Sequence, residues 1–237
     1  VDNLVGIIIQ ARMGSSRLPG KTMKQINGKP LLYYSVQRAL QAKYVDKVIV
    51  ATTDKEQDDT IEKWCDENNI SCFRGSEQNV LERYYYCAEE NNLDVVVRAT
   101  ADNPFIDPRI IDLLILALSL QQVDYVTMRH KTNTWPYGLD VEAMDIQTLK
   151  KVWNLSVLPQ HKEHVTLYIK DNEIDFRIYE VNINEDLSTI RLTVDFPEDF
   201  ERANILMEKL SNQYGLAYSW RNVVDTYITH VRNSNYG

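Results

Sequence analysis

The sequence is short of positive charge, of cysteine and of long apolar runs. It carries 26 Lys and Arg against 34 Asp and Glu over 237 residues, a formal net charge of −8. A protein that tracks a nucleic-acid backbone or an anionic membrane surface needs a basic face, so neither nucleic acid nor a membrane is expected as a partner. A local basic cluster on an acidic protein remains compatible with that balance. Cysteine occurs three times, at Cys65, Cys72 and Cys87, with no C-x-x-C. An odd count at those spacings builds neither a disulfide framework nor a zinc site, and each thiol reads as a small core or half-buried residue in a reducing compartment. The most apolar stretch, residues 110–120, falls well short of the roughly 20 residues of a membrane span and holds Asp112 and Ser119. It reads as a buried helix. The start, Val1-Asp2-Asn3 and then residues 4–9, lacks the basic flank and apolar core of a signal peptide, so a cytoplasmic location is expected.

What is present is an ordinary globular composition, 44% hydrophobic and 25% charged. Short β-branched runs at 4–9, 47–52, 71–73, 94–99 and 123–128 alternate with amphipathic segments at 31–42, 58–68, 80–91 and 109–120. This βαβ rhythm predicts an α/β fold with a doubly wound, mostly parallel sheet. Near-continuous apolar runs such as Val5-Gly6-Ile7-Ile8-Ile9 suit strands covered on both faces. After Met128 the rhythm changes. A polar, aromatic loop over 129–138 precedes a strand near 140–143, helices over 146–153 and 162–169, strands at 176–181 and 190–194, and helices over 198–210 and 220–231. No linker rich in Gly, Ser or Pro separates the halves, which predicts one domain over 1–237 with an elaborated second half.

Directly after the first strand comes Gln10-Ala11-Arg12-Met13-Gly14-Ser15-Ser16-Arg17-Leu18-Pro19-Gly20-Lys21-Thr22. In a parallel sheet this is a carboxyl end, where ligands bind. Two arginines, a lysine, three hydroxyls and two glycines supply the fixed cations and free backbone N–H groups that a triphosphate needs. It is not a Walker loop, because Gly14 and Gly20 enclose five residues rather than four, and the G-x-G-x-x-G of a dinucleotide fold is absent. A second loop at a strand end, Arg98-Ala99-Thr100-Ala101-Asp102-Asn103-Pro104, offers Asp102. Magnesium is held by one or two carboxylates plus substrate phosphates, yet Asp102 reads equally as a turn cap before Pro104. Asp195, in Val194-Asp195-Phe196-Pro197-Glu198-Asp199, reads either as a second ligand or as a helix cap. His161 and His164 at i, i+3 lack a third ligand and are not read as a metal site.

The run from Ile9 to Lys21 resembles the N-terminal signature of the CMP-KDO synthetase-like sugar nucleotidyltransferases, most like the spore-coat polysaccharide biosynthesis protein F branch. The segments 74–83, 98–104, 137–142, 161–168 and 192–199 are also similar to it, although Asn79 stands where an aspartate is more usual. The resemblance implies a Rossmann-like fold of the nucleotide-diphospho-sugar transferase type. It implies that Arg12 and Lys21 hold the β- and γ-phosphates, joined by Ala11, Gly14, Ser15, Ser16, Arg74, Thr100 and Ala101 around the nucleotide. Arg12, Arg17, Lys21 and Asp102 are the expected catalytic residues, with Asp102 and Asp195 holding Mg²⁺. Glu142 and His164 are the expected substrate contacts, within an elaboration over about 129–190 for the acceptor sugar and a homodimer contact. The implied activity joins a nucleoside triphosphate, CTP favoured, to a sugar acceptor with release of pyrophosphate. The alternatives are a glycosyltransferase of related fold, for which Asp140-Val141-Glu142 is the nearest match to D-x-D, and a nucleotide-binding protein without turnover.

Overall fold

The structure is a computed structural model that describes residues 3–232, so Val1 and Asp2 of the start read above lie outside it. Seven strands form one sheet, with residues 71–75, 47–53, 5–10, 95–100, 142–145, 125–127 and 178–180 in that order across it. The parallel part is β1 (Val5–Gln10), β4 (Lys47–Thr53), β5 (Ser71–Gly75) and β6 (Val95–Thr100). Across the sheet β8 (Glu142–Asp145) runs antiparallel to β6 and to β7 (Tyr125–Thr127), and β9 (Ile178–Glu180) closes the edge parallel to β7.

Strand period sorts the core into two layers. Ile7, Ile9, Val50, Val95 and Val97 face the side covered by α1 (Leu31–Ala39), α2 (Asp59–Glu67), α4 (Pro108–Leu120), α8 (Pro197–Tyr214) and α9 (Trp220–Tyr227). Ile8, Ile49, Ala51, Val96 and Met144 face the other side, covered by α3 (Val80–Glu90) and α5 (Ile146–Leu155). That alternation is the two-sided burial expected of near-continuous apolar strands. Tyr84-Tyr85-Tyr86 divides as a half-buried helix should. Tyr84 is fully enclosed, Tyr85 stacks on Trp153 at 4.5 Å, and Tyr86 is exposed. Asn79 caps α3 by accepting from the Glu82 N–H at 3.1 Å.

Three expectations are corrected. Residues 190–194 form no strand and make only a single bridge, Tyr137 to Arg191. Their backbone groups go elsewhere: Ile190 O and Leu192 N bond Tyr137, and Val194 N donates to the Asp102 carbonyl at 2.9 Å. The close approach needs Gly138, where a Cβ would sit 2.2 Å from the Thr193 nitrogen. The helix expected over 162–169 is broken into α6 (Pro159–Glu163) and α7 (Leu167–Asp171), with the interruption at 164–166. The helix over 110–120 is buried on one face only, since Leu113, Leu116 and Leu120 are exposed. A small hairpin, β2 (Gln25–Ile26) with β3 (Lys29–Pro30), precedes α1. Among the described residues no helix is long and apolar enough to cross a membrane.

Candidate active site

The loop after β1 is pinned at both ends. Asp58, fully buried at the start of α2, accepts from the Met13 N–H at 2.7 Å and from the hydroxyls of Thr52 and Thr53. At the far end the Thr22 hydroxyl donates to the Arg12 carbonyl at 2.8 Å, and Gly20, with φ 67°, turns the chain back so that its N–H reaches Met13 O. These anchors shape a cleft of about 180 Å³ at the carboxyl ends of β1 and β6. Ala11, Arg12, Gly14, Ser15, Ser16, Arg17 and Lys21 line one wall, and Thr100, Ala101, Asp102 and Asp195 the other. Arg12 is exposed to the cleft and makes no ion pair among the described residues.

Lys21 joins the two walls. Its Nζ donates to Asp102 Oδ2 at 2.9 Å, to Asp195 Oδ1 at 2.8 Å and to the Val194 carbonyl at 2.8 Å, which uses all three of its N–H donors. Asp102 also accepts from the Thr100 hydroxyl at 2.6 Å. Asp195 also meets Arg17 at 3.2 Å and Arg191 at 2.9 Å. Burial pushes the Asp195 carboxyl up, but Lys21, Arg17 and Arg191 outweigh it and hold the group below the usual carboxylate range. Asp199, not Asp195, caps α8. It accepts from the N–H groups of Asp195 and Phe196 and pairs with Arg191 and Arg202. Burial raises its carboxyl, and these partners bring it down to about 2.

Both carboxylates already bracket one cation, which is the ligand count magnesium uses when phosphates complete its shell. No cluster of three or more His, Cys, Asp or Glu suited to a metal occurs among the described residues. A divalent ion here therefore fits only with substrate oxygens and water as its remaining ligands.

Two larger clefts open from the first, and Thr100 lines all three. One, of about 410 Å³, is walled by the second half of the chain, including Arg129, Tyr137, Asp140, Glu142, His164 and Lys170. The other, of about 420 Å³, lies against Gln10, Arg12, Glu77, Gln78 and Val80. His164, released from helix by the break after α6, lines both. His161 is turned away, buried and bonded through Nε2 to Asp171 at 2.9 Å.

Two expected site residues are placed differently. Arg74 lines none of these clefts. Its guanidinium is committed to Asp59 at 2.6 Å, Glu62 at 2.7 Å and the carbonyls of Thr53 and Lys55, so it fastens α2 to the sheet instead of facing a nucleotide. Glu142 is at the second cleft but buried, with its oxygens taken by Arg98, Tyr125, Thr166 and Lys170. Asp140 is likewise held by Arg129 and the Gly138 N–H, so Asp140-Val141-Glu142 offers no free carboxylate pair for a diphosphate. Asp58, Arg98 and Lys170 are the residues that sequence reasoning missed. Asp58 carries no local signal, because its partner Met13 is 45 positions away. Arg98 did carry one, as a charge inside the otherwise apolar strand Val95-Val96-Val97-Arg98-Ala99.

The cytidylyltransferase family profile matches residues 6–219. The spore coat polysaccharide biosynthesis protein SpsF of Bacillus subtilis is 36% identical over 214 residues, which cover 87% of this chain and 88% of that protein. The 3-deoxy-manno-octulosonate cytidylyltransferase of Chlamydia trachomatis serovar A is 28% identical over 211 residues, 84% of this chain and 80% of that one. Among solved structures, a cytidylyltransferase from Leptospira borgpetersenii superposes with a TM-score of 0.89 at 32% identity, over 98% of this chain and 95% of that one. A CMP:2-keto-3-deoxy-manno-octonic acid synthetase complexed with CTP shares the fold, with a TM-score of 0.66 at 20% identity, over 87% of this chain and 99% of that one. A profile match over most of the chain, and a relative more than a third identical across it, make this protein a nucleotidyltransferase of the cytidylyltransferase family.

Proposed function

We propose that the chain is a magnesium-dependent sugar cytidylyltransferase, joining CTP to an acidic sugar or sugar phosphate with release of pyrophosphate, for surface polysaccharide or glycan synthesis. The observation that carries this is the convergence of the phosphate loop and two carboxylates on one ammonium at the ends of β1 and β6. CTP and an acidic sugar are favoured because the similar proteins include cytidylyltransferases named for 3-deoxy-manno-octulosonate.

In this reading the acceptor oxygen attacks the α-phosphorus in line and pyrophosphate departs on the opposite side, a transfer that depends on positioning and charge neutralisation. Arg12 and the backbone around Gly14, Ser15 and Ser16 receive the triphosphate, and Ala11, Thr100 and Ala101 flank the nucleoside. Arg17 and Lys21 take the leaving pyrophosphate, which requires Lys21 to give up a carboxylate. Asp102 and Asp195 hold Mg²⁺, which when bound supplies charge neutralisation and acidifies the attacking group. The acceptor occupies the 410 Å³ cleft, with His164 in reach of it. A cytoplasmic homodimer completes the proposal. The exposed Leu155, Val157, Leu158 and Ile174, all within 129–190, support a contact there, and light scattering in solution measures it.

Thermal midpoints with CTP, UTP, GTP and ATP, each with and without Mg²⁺, test the reading. A triphosphate at about 100 times its Kd adds roughly 2.7 kcal/mol, a shift of roughly 5–10 °C for a chain of this size. CTP should give that shift, and magnesium should enlarge it. A shift with a diphosphate sugar and with no triphosphate would overturn it in favour of a glycosyltransferase.

A further inference from the structure

Arg98 and Glu142 stand opposite one another across β6 and β8, and Arg98 Nη1 donates to Glu142 Oε2 at 2.6 Å. The other carboxylate oxygen accepts from the Tyr125 hydroxyl and from the Thr166 hydroxyl at 3.0 Å, and lies 3.3 Å from the Lys170 ammonium. Burial raises the Glu142 carboxyl, but Arg98, Lys170 and Tyr125 outweigh it and bring the group down to about 2. Glu142 is therefore an anion with its acceptor positions filled and nothing left for a substrate. One carboxylate balances two cations, so the cluster keeps a net charge of one positive unit.

That surplus lies at a cleft wall. Arg98 lines both large clefts, with about a quarter of its side chain exposed (23%), and Lys170 lines the second with 30% exposed. Arg98 Nε is buried without a hydrogen-bond partner. The other cations of the second cleft are already matched, Arg129 by Asp140 and Arg17 by Asp195. A guanidinium fixed at one nitrogen presents the rest of its planar fork in a set direction, which suits a carboxylate or a phosphate far better than a neutral hydroxyl.

We propose that Arg98, with Lys170 beside it, binds the anionic group of the acceptor, a carboxylate or a phosphate, and that Glu142 is a positioning residue that sets the Arg98 fork rather than a substrate contact. The assignment rests on the cytidylyltransferase reading for the identity of the cleft. The anion and Glu142 then approach Arg98 from different sides, and its arrival neutralises the surplus charge of the cluster.

The test is calorimetric titration of two probes into protein loaded with a non-hydrolysable CTP analogue. 3-Deoxy-manno-octulosonate is the carboxylate arm and glucose 1-phosphate the phosphate arm. One of them should bind the wild type. Loss of a hydrogen bond to a charged group is worth about 1.5–3 kcal/mol, so Arg98→Met should weaken that probe by roughly 10- to 100-fold. Arg98→Lys should recover part of the loss. Lys170→Met leaves the Arg98–Glu142 pair intact and should weaken the same probe by a smaller factor, which keeps the test open if Arg98→Met unfolds. Glu142→Gln should also weaken the probe, and affinity for the CTP analogue should change less than about twofold throughout, a split that a merely structural role would not give. Unchanged probe affinity in folded Arg98→Lys and Lys170→Met, or binding of neither probe to the loaded wild type, overturns the proposal. Failure of the wild type to bind the CTP analogue would instead sink the cytidylyltransferase reading.

Discussion

Replacing Lys21 by methionine removes the one group that, among the described residues, touches both candidate metal ligands. All three donors of its ammonium are engaged, two with carboxylates at 2.8 and 2.9 Å and one with a backbone carbonyl at 2.8 Å. The losses are unequal. Asp195, 11% exposed, keeps Arg17 and Arg191, while Asp102, 29% exposed, keeps the Thr100 hydroxyl and can be hydrated. Hydrogen bonds to charged groups contribute about 1.5–3 kcal/mol each, and hydration and the remaining partners return part of that. A net cost of about 2–3 kcal/mol corresponds to a fall in thermal midpoint of roughly 4–12 °C for a chain of this length. A divalent cation should offset it, because the two carboxylates no longer hold an ammonium. Calorimetric scans in chelator and then in millimolar Mg²⁺ measure both effects. The midpoint should fall in chelator, and Mg²⁺ should raise it more in Lys21→Met than in the wild type. A variant as stable as the wild type in chelator, or equal magnesium shifts in the two proteins, would refute the reasoning that the ammonium stands where the cation binds.

The other predictions concern the same frame. Asp102→Asn should leave the thermal midpoint near the wild-type value and cut turnover by about 100-fold or more, and near-normal turnover in a pyrophosphate assay would remove Asp102 from the metal site. Asp58→Asn keeps the size of the side chain but pairs its amide against the Thr53 N–H, leaving a buried donor without an acceptor. The cost should be about 1–3 kcal/mol in denaturant melts, with CTP binding little changed because the remaining carbonyl oxygen still accepts from the Met13 N–H. Glu142, whose folded value of about 2 lies below its ordinary 4.5, contributes its full stabilisation above about pH 4.5 and loses it as the pH falls towards 2. Glu142→Gln should therefore be less stable than the wild type at neutral pH yet lose less further stability across that acid window, as urea melts at several pH values would show.

The parallel half of the sheet was legible because each buried strand is a short β-branched run and each covering helix repeats its apolar face. The loop from Arg12 to Thr22 could be read because cations and glycines cluster at one strand end, and the structure brings that loop against Asp102 and Asp195. The second half was less legible, because its local patterns are overridden by contacts far along the chain. Residues 190–194 have the composition of a strand but bond Tyr137 and Asp102. Residues 162–169 have a helical pattern but break at His164, with the Thr166 hydroxyl on Glu142. Glu142 reads as a substrate contact only through the family resemblance, and the four partners that hold its oxygens come together only in the fold. Arg74 reads toward the nucleotide on the same resemblance, whereas the fold commits it to Asp59 and Glu62 of a neighbouring helix.

The most direct test of the central claim is pyrophosphate release, followed with product identification by mass spectrometry, from protein incubated with CTP, Mg²⁺ and a panel of acidic sugars and sugar phosphates. Stoichiometric pyrophosphate and a CMP-linked sugar are expected with at least one member of the panel, and loss of both when Asp195 is replaced by asparagine. Pyrophosphate formation that survives Asp195→Asn, or no CMP-linked product with any acceptor despite tight CTP binding, would contradict it.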